Sequence, residues 1–245
     1  MIDIKIRYQA VAFMPSIEAN STNIAKMMNL FNERGLVPTT QSEFSITDTS
    51  PQMQLRFNLK SVNNEWDIHF GIGRIGITKN ATDTRGDNIG TIEQFSADVS
   101  DIYSKINSKF PQQANRIALS SNVILSEMKE DILNEIYLKL FNPIKLYADN
   151  NPTEWNSRTV ARMQKEFSGN TEIFNFVSEI NRINGFININ QEIKPIDNRI
   201  AINIDINTIQ DNETYRFGTK ELECFYSNVS IWYNDLLSNF FDKLK

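Results

Sequence analysis

Arg199-Ile200-Ala201-Ile202-Asn203-Ile204-Asp205-Ile206 places an isoleucine at every second position, with small or polar residues between. Successive side chains of an extended strand point to opposite faces, so a period of two marks a strand buried on one face and open on the other. Strands of this kind belong to antiparallel sheets covered on one side only. The same alternation recurs in Ile2-Asp3-Ile4-Lys5-Ile6-Arg7, in Leu55-Arg56-Phe57-Asn58-Leu59-Lys60 and in Asp67-Ile68-His69-Phe70, with Ile75 and Ile77 on a short return strand. Asn63-Asn64 supplies a hairpin turn between two of them.

Between the strands the apolar period changes to that of helices. Ser21 and Thr22 can cap a helix through Ile24, Met27, Met28 and Phe31, closed by Gly35 with Pro38 beyond. After a polar loop from Asn80 to Gly90, Thr91 opens a helix through Ile92, Phe95, Val99, Ile102, Tyr103 and Ile106, stopped at Pro111. The order then repeats. Ile117 to Leu125 reads as a strand, Met128 to Phe141 as a helix, and strands follow near 160–167, 173–183 and 186–193, with a turn at Asn184-Gly185. Ile200 to Ile206 is the last strand, and Thr219 caps a helix running to Lys245. The expectation is an α+β unit of two β-α-β-β-β(-β)-α repeats, 1–112 and 113–245, side by side in one compact body. They form a curved antiparallel sheet with the helices on one face. That element order resembles, in topology alone, the saddle of the TATA-box-binding protein.

Composition narrows the chemistry. The chain has 245 residues, a formal net charge of −5, one cysteine and one histidine. A dedicated nucleic-acid-binding domain is usually basic, so an acidic balance argues against one unless charge is segregated by face. One cysteine excludes an intramolecular disulfide. A single imidazole and a single thiol cannot assemble the nitrogen and sulfur set of a zinc site, so no metal and no cofactor is expected. The alternating, charged first strand is not the apolar core of a signal peptide, and no run approaches the ~20 apolar residues of a membrane span. The reading is cytoplasmic, with no membrane partner.

Gly71-Ile72-Gly73-Arg74-Ile75-Gly76 matches the dinucleotide fingerprint letter for letter. That fingerprint works by ending a strand at a helix N-terminus, and here Ile77-Thr78-Lys79-Asn80 leads into a loop. A glycine-rich strand turn explains the run better. His69 is the sole obvious general base near neutral pH, yet no Ser, Cys or carboxylate partner stands out, and it reads as a half-exposed sheet histidine. Cys224 reads as a packing cysteine, Asp83, Asp87 and Glu93 as solvating charge around a loop, and Asp205 as an exposed strand aspartate. No catalytic constellation emerges.

Two surfaces remain. The terminal helix is unusually aromatic, and Phe225, Trp232, Tyr233, Phe240 and Phe241 are candidates for an interface with a protein partner or a second copy, a homodimer. If the isoleucine rows face the helices, Lys5, Arg7, Arg56, Lys60, His69, Arg116 and Arg199 face the other way. A net-basic open face on an acidic protein suits an anionic partner, nucleic acid or a nucleotide.

Arg116-Ile117-Ala118-Leu119-Ser120-Ser121-Asn122, Ile202-Asn203-Ile204-Asp205-Ile206 and the terminal helix ending at Phe240 resemble a family of sporadically distributed, functionally uncharacterised bacterial proteins of about this length. The resemblance brings no catalytic residues with it. The patchy distribution implies mobile genes, phage-defence systems among them. The expected function is therefore a non-enzymatic binding or interaction protein, with nucleic-acid or nucleotide binding on the open face as the alternative and a hydrolase around His69 as a third reading.

Overall fold

A computed structural model describes residues 2–47 and 50–244; Met1, Asp48, Thr49 and Lys245 lie outside the described residues. The chain runs β1 (Ile2–Phe13), α1 (Ser21–Leu30), β2 (Leu36–Thr47), β3 (Ser50–Ser61), β4 (Trp66–Gly71), β5 (Arg74–Asn80) and α2 (Ile92–Lys109). It continues β6 (Arg116–Leu125), α3 (Glu130–Leu140), α4 (Lys145–Asp149), β7 (Trp155–Phe167), β8 (Asn170–Ile183), β9 (Phe186–Ile189), β10 (Glu192–Pro195), β11 (Arg199–Thr208) and α5 (Thr219–Leu244). Among the described residues, nine strands form one sheet in the order β2-β3-β4-β5-β1-β6-β11-β8-β7. Every neighbouring pair is antiparallel.

The isoleucines of β11 explain why the helices lie where they do. Ile200, Ile202, Ile204 and Ile206 are at most 2% exposed. They share one core with Met27 of α1, Phe95 and Val99 of α2, Leu133 and Ile136 of α3, and Phe225 and Val229 of α5. Burying each such side chain contributes roughly 1.5–3 kcal/mol, which fixes these four helices on a single face. Local signals agree. Thr91 Oγ1 accepts from Gln94 N while Gln94 Oε1 accepts from Thr91 N, a reciprocal cap that starts α2. The cap of α1 is Asn20, whose Oδ1 accepts from Asn23 N, one residue before the Ser21-Thr22 pair expected.

The aromatic stripe of α5 belongs largely to this core. Phe225 and Tyr233 are buried, and Trp232, Phe240 and Phe241 pack partly buried against the same cluster. Trp232 lies 5.0 Å from the ring centre of Phe174 and 6.0 Å from that of Phe176, on β8. Phe225 and Tyr233 are thus unavailable at the surface, because the sheet takes them first.

Two features depart from the simple alternation. β1 bulges between Ile2 and Ile4 and again between Lys5 and Arg7. Each bulge inserts a residue and reverses which face the next side chain takes. Ile2 packs with the helix-side core, whereas Ile4 and Ile6 join a separate small cluster with Ile124, Ile183, Ile187, Ile196 and Ala201 on the opposite face. The bulge leaves backbone groups of β1 to be satisfied elsewhere. Lys5 N donates to Arg85 O and Ala81 N to Ile6 O, so the 80–90 loop is stitched to β1.

The second departure is a cover on that opposite face. The single strand expected at 186–193 is a hairpin, β9–β10, turning at Asn190 and Gln191 with φ of 49° and 71°. It lies over the second cluster, and Asn190 Nδ2 donates to Thr82 O in the 80–90 loop. The open face is therefore open only away from this corner. β2, with its Thr, Ser and Gln residues, has no alternating apolar signal because it forms the sheet edge.

The stitched loop generates a stability test. At Gly86, φ is +71°, and an added Cβ meets the Lys5 carbonyl oxygen at 1.9 Å. At Gly73, φ is +66°, but nothing lies within 4 Å of the added atom. Gly73→Ala should cost only the left-handed backbone strain, about 1–2 kcal/mol. Gly86→Ala should cost clearly more, because backbone must move as well. Urea unfolding of both variants measures the difference, and equal losses would mean that the loop is not held against β1.

Candidate functional site on the open sheet face

Register turns the open face into rows of side chains. One row crosses all nine strands: Thr39, Asn58, His69, Gly76, Val11, Ala118, Asn207, Asn175 and Arg162. The next row carries Lys60, Asp67, Thr78, Gln9, Ser120 and Asp205 across six strands. A third runs Arg7, Asn122, Asn203, Glu179 and Arg158. At the centre, Gly76, Val11 and Ala118 are small, so larger polar groups on either side flank a low middle. Hollows of about 460 Å³ and about 310 Å³ lie to either side, the first around His69 and the second around Asp205.

The first hollow is organised by Glu43. Its Oε1 lies 2.6 Å from His69 Nε2 and its Oε2 accepts from Ile72 N at 2.8 Å. His69 Nδ1 lies 2.7 Å from Asn58 Oδ1. Arg74 Nη2 is 3.9 Å from Glu43 Oε1, and Lys60 pairs with Asp67 at 3.1 Å. The glycine run makes this possible. Gly71 ends β4 and Ile72-Gly73 is the turn to β5, with no helix following, as a strand turn requires. A Cβ on Gly71 would sit 2.5 Å from His69 Nε2. Burial raises the Glu43 carboxyl, but the Ile72 N–H, the His69 ring and Arg74 together outweigh it and hold it below the usual range. Both ring nitrogens of His69 thus lie within hydrogen-bond distance of a side-chain partner, which tethers the ring.

The second hollow is organised by Asp205. It is not the exposed aspartate that the alternation implies. Burial raises its carboxyl, only partly offset by a hydrogen bond from Asn207 and by the charges of Arg116 and Arg158. Asn207 Nδ2 donates to Asp205 Oδ2 at 2.9 Å, and Asn207 Oδ1 accepts from Arg116 Nη2 at 3.2 Å and Asn175 Nδ2 at 3.1 Å. Arg116 also covers the Phe13 ring at 4.9 Å.

The basic residues expected on this face divide. Arg7, Lys60 and His69 line the two hollows, and Arg116 is tied to the second through Asn207, the partner of Asp205. Lys5 does not: the bulge at Ile6 sends it toward the helix side, where its Nζ donates to Gly90 O at 2.6 Å. Arg199 is covered and neutralised, 2.6 Å from Asp3 Oδ2 and donating to Leu125 O. Arg56 is buried and donates to Gln54 on its own strand. Sequence alternation did not single out Arg74, Arg158 and Arg162, which stand exposed on the open face. Arg7, Arg158 and Arg162 have no ion-pair partner within 4.0 Å among the described residues. Among the described residues, cations on the open face (Arg7, Lys60, Arg74, Arg116, Arg158, Arg162) outnumber the carboxylates (Glu43, Asp67, Glu166, Glu179, Asp205) by one, on a chain of net charge −5.

No family model and no curated protein matches the chain. Among solved structures, a rolling circle replication initiator protein from Geobacillus stearothermophilus aligns with 96% of this chain and 83% of its own, at 9% identity and a TM-score of 0.33. That value is too low to indicate a shared fold. No helix among the described residues is long and apolar enough to cross a membrane.

Glu43 provides a pH test. Its side chain and that of His69 are 18% and 20% exposed, so breaking the pair leaves a largely buried partner unsatisfied. Glu43→Gln should cost about 1–3 kcal/mol at pH 7 in denaturant unfolding. Because the folded-state carboxyl is held below its ordinary value of 4.5, its contribution is complete above that pH and is lost as pH falls through the lowered value. The difference between wild type and variant should therefore shrink in acid. A difference that is constant from neutral pH to pH 3 would contradict the arrangement.

Proposed function

We propose that this chain is a non-enzymatic binding protein that takes nucleic acid on the open face of its sheet. The observation that carries the reading is the segregation of charge: exposed, unpaired Arg7, Arg158 and Arg162 margin a polar floor on a chain whose overall balance is acidic. Polyanion binding is driven by release of counterions from neutralised phosphates, and it needs a local cationic surface and not a basic protein.

The finer architecture we propose is pseudo-twofold. Outward from the centre, one half reads β1-β5-β4-β3-β2 and the other β6-β11-β8-β7, each opening on a strand and helix and closing on a long helix. The resemblance to sporadically distributed bacterial proteins extends the proposal to a nucleic-acid-binding component of a mobile or phage-defence system.

Fluorescence anisotropy with a single-stranded oligonucleotide tests the reading across salt concentrations. Affinity should fall linearly on a log–log plot, and Arg7→Glu with Arg158→Glu should weaken binding at least tenfold at low salt. Each arginine removed should flatten the salt slope by about one unit. No binding by wild type at low salt would end the proposal.

A further inference from the structure

Between the arginines, the floor of the second hollow is built of groups that suit base edges better than phosphates. Asn122 on β6 and Asn203 on β11 face each other directly across the ladder, both half-buried. Neither side chain has a hydrogen-bond partner among the described residues. Neither amide is among the buried polar atoms without a partner, so both carboxamides stay open to solvent and free to bond a ligand. Two residues along β11, Asp205 is oriented by Asn207, which is itself held by Arg116 and Asn175. Asn175 Oδ1 is a buried acceptor with no partner. Asp205 is half-buried and lines the same hollow as Asn122 and Asn203.

We propose, resting on the nucleic-acid reading above, that this floor reads the bases of a single strand: Asn122, Asn203 and Asp205 hydrogen-bond base edges while Arg7, Arg158, Arg116 and Arg162 at its corners hold the flanking phosphates. The chemistry is selective. A carboxamide presents a donor and an acceptor that match adenine N6 and N7, and a carboxylate accepts from the cytosine N4 amine. Thymine has no exocyclic amine: beside its O4 acceptor and methyl group, its one donor is the ring N3–H. Size selects a single strand. From β1 to β7 the floor crosses four strand spacings, roughly 19 Å, with arginines at both rims, whereas a major groove is about 12 Å wide. Bases must therefore come out to meet the floor.

Anisotropy with oligo-dA, oligo-dC and oligo-dT of equal length, and with the dA·dT duplex, tests this. Wild type should bind oligo-dA and oligo-dC at least tenfold more tightly than oligo-dT or the duplex, the equivalent of one good base contact at about 1.4 kcal/mol per factor of ten. Asn122→Ala with Asn203→Ala should remove most of the oligo-dA preference, and Asp205→Asn most of the oligo-dC preference. Both should leave oligo-dT binding within twofold of wild type, which also shows that the variants are folded. Asn203→Asp, nearly isosteric, should move preference from dA toward dC. Equal wild-type affinity for the three strands would overturn base reading while leaving phosphate binding intact. Failure to bind any strand would overturn both. Preferences unchanged in all variants would overturn the assignment to this floor.

Discussion

The ladder between β1 and β6 is the constraint on which the rest of the molecule depends. It runs from Ile2 opposite Leu125 to Phe13 opposite Arg116 and is the seam where the two halves of the sheet meet. A one-residue slip there would send every open-face side chain of one half to the helix side and break each row that crosses the centre. The bulge at Ile6 is part of the same constraint. It lets β1 keep Tyr8, Ala10 and Ala12 in the main core while turning Ile4 toward the smaller cluster beneath the β9–β10 hairpin.

One-sided burial then dictates the character of the other face. The helices consume the apolar residues of one face of every central strand, down to the tyrosines. Tyr8, Tyr103 and Tyr226 are all buried, and burial pushes each phenol upward. Away from the isoleucine cluster under the hairpin, what is left for the open face is mostly small or polar, and its polar groups sort into two networks, one around Glu43 and His69 and one around Asp205 and Asn207. The two carboxyls are displaced in opposite directions by the same physics. Glu43 has a backbone N–H and cationic neighbours close enough to outweigh burial, and Asp205 does not.

Much of the fold was legible because period-two isoleucines are an unambiguous physical signal. β11, β3 and β4, and the helices with their stripes, follow from it, as does the single helical layer. What alternation could not convey was anything that depends on pairing. The bulge that removes Lys5 from the open face exists only because β1 meets β6, and no local residue announces it. Glu43 lies 26 residues from His69 on an edge strand without apolar alternation, so their pairing was invisible. Arg158 and Arg162 sit on the opposite edge strand, exposed on both faces, where polarity gives no facing information. Asp205 reads as exposed because it faces away from the isoleucine row, yet it is half-buried and bonded to Asn207, which Arg116 and Asn175 hold in turn. The site was therefore half-legible: its sign of charge could be read, and its membership could not.

We propose that this protein meets its partner on the helix-free face. Backbone amide NMR of the labelled protein, titrated with a single-stranded oligonucleotide at low salt, tests it most directly. Shifts should concentrate on β1, β6, β11, β8 and β7 along the rows through Asn122, Asp205 and Asn207, while α2 and α5 stay quiet. Perturbation centred on the outer surfaces of α2 and α5, with the open face unmoved, would contradict it.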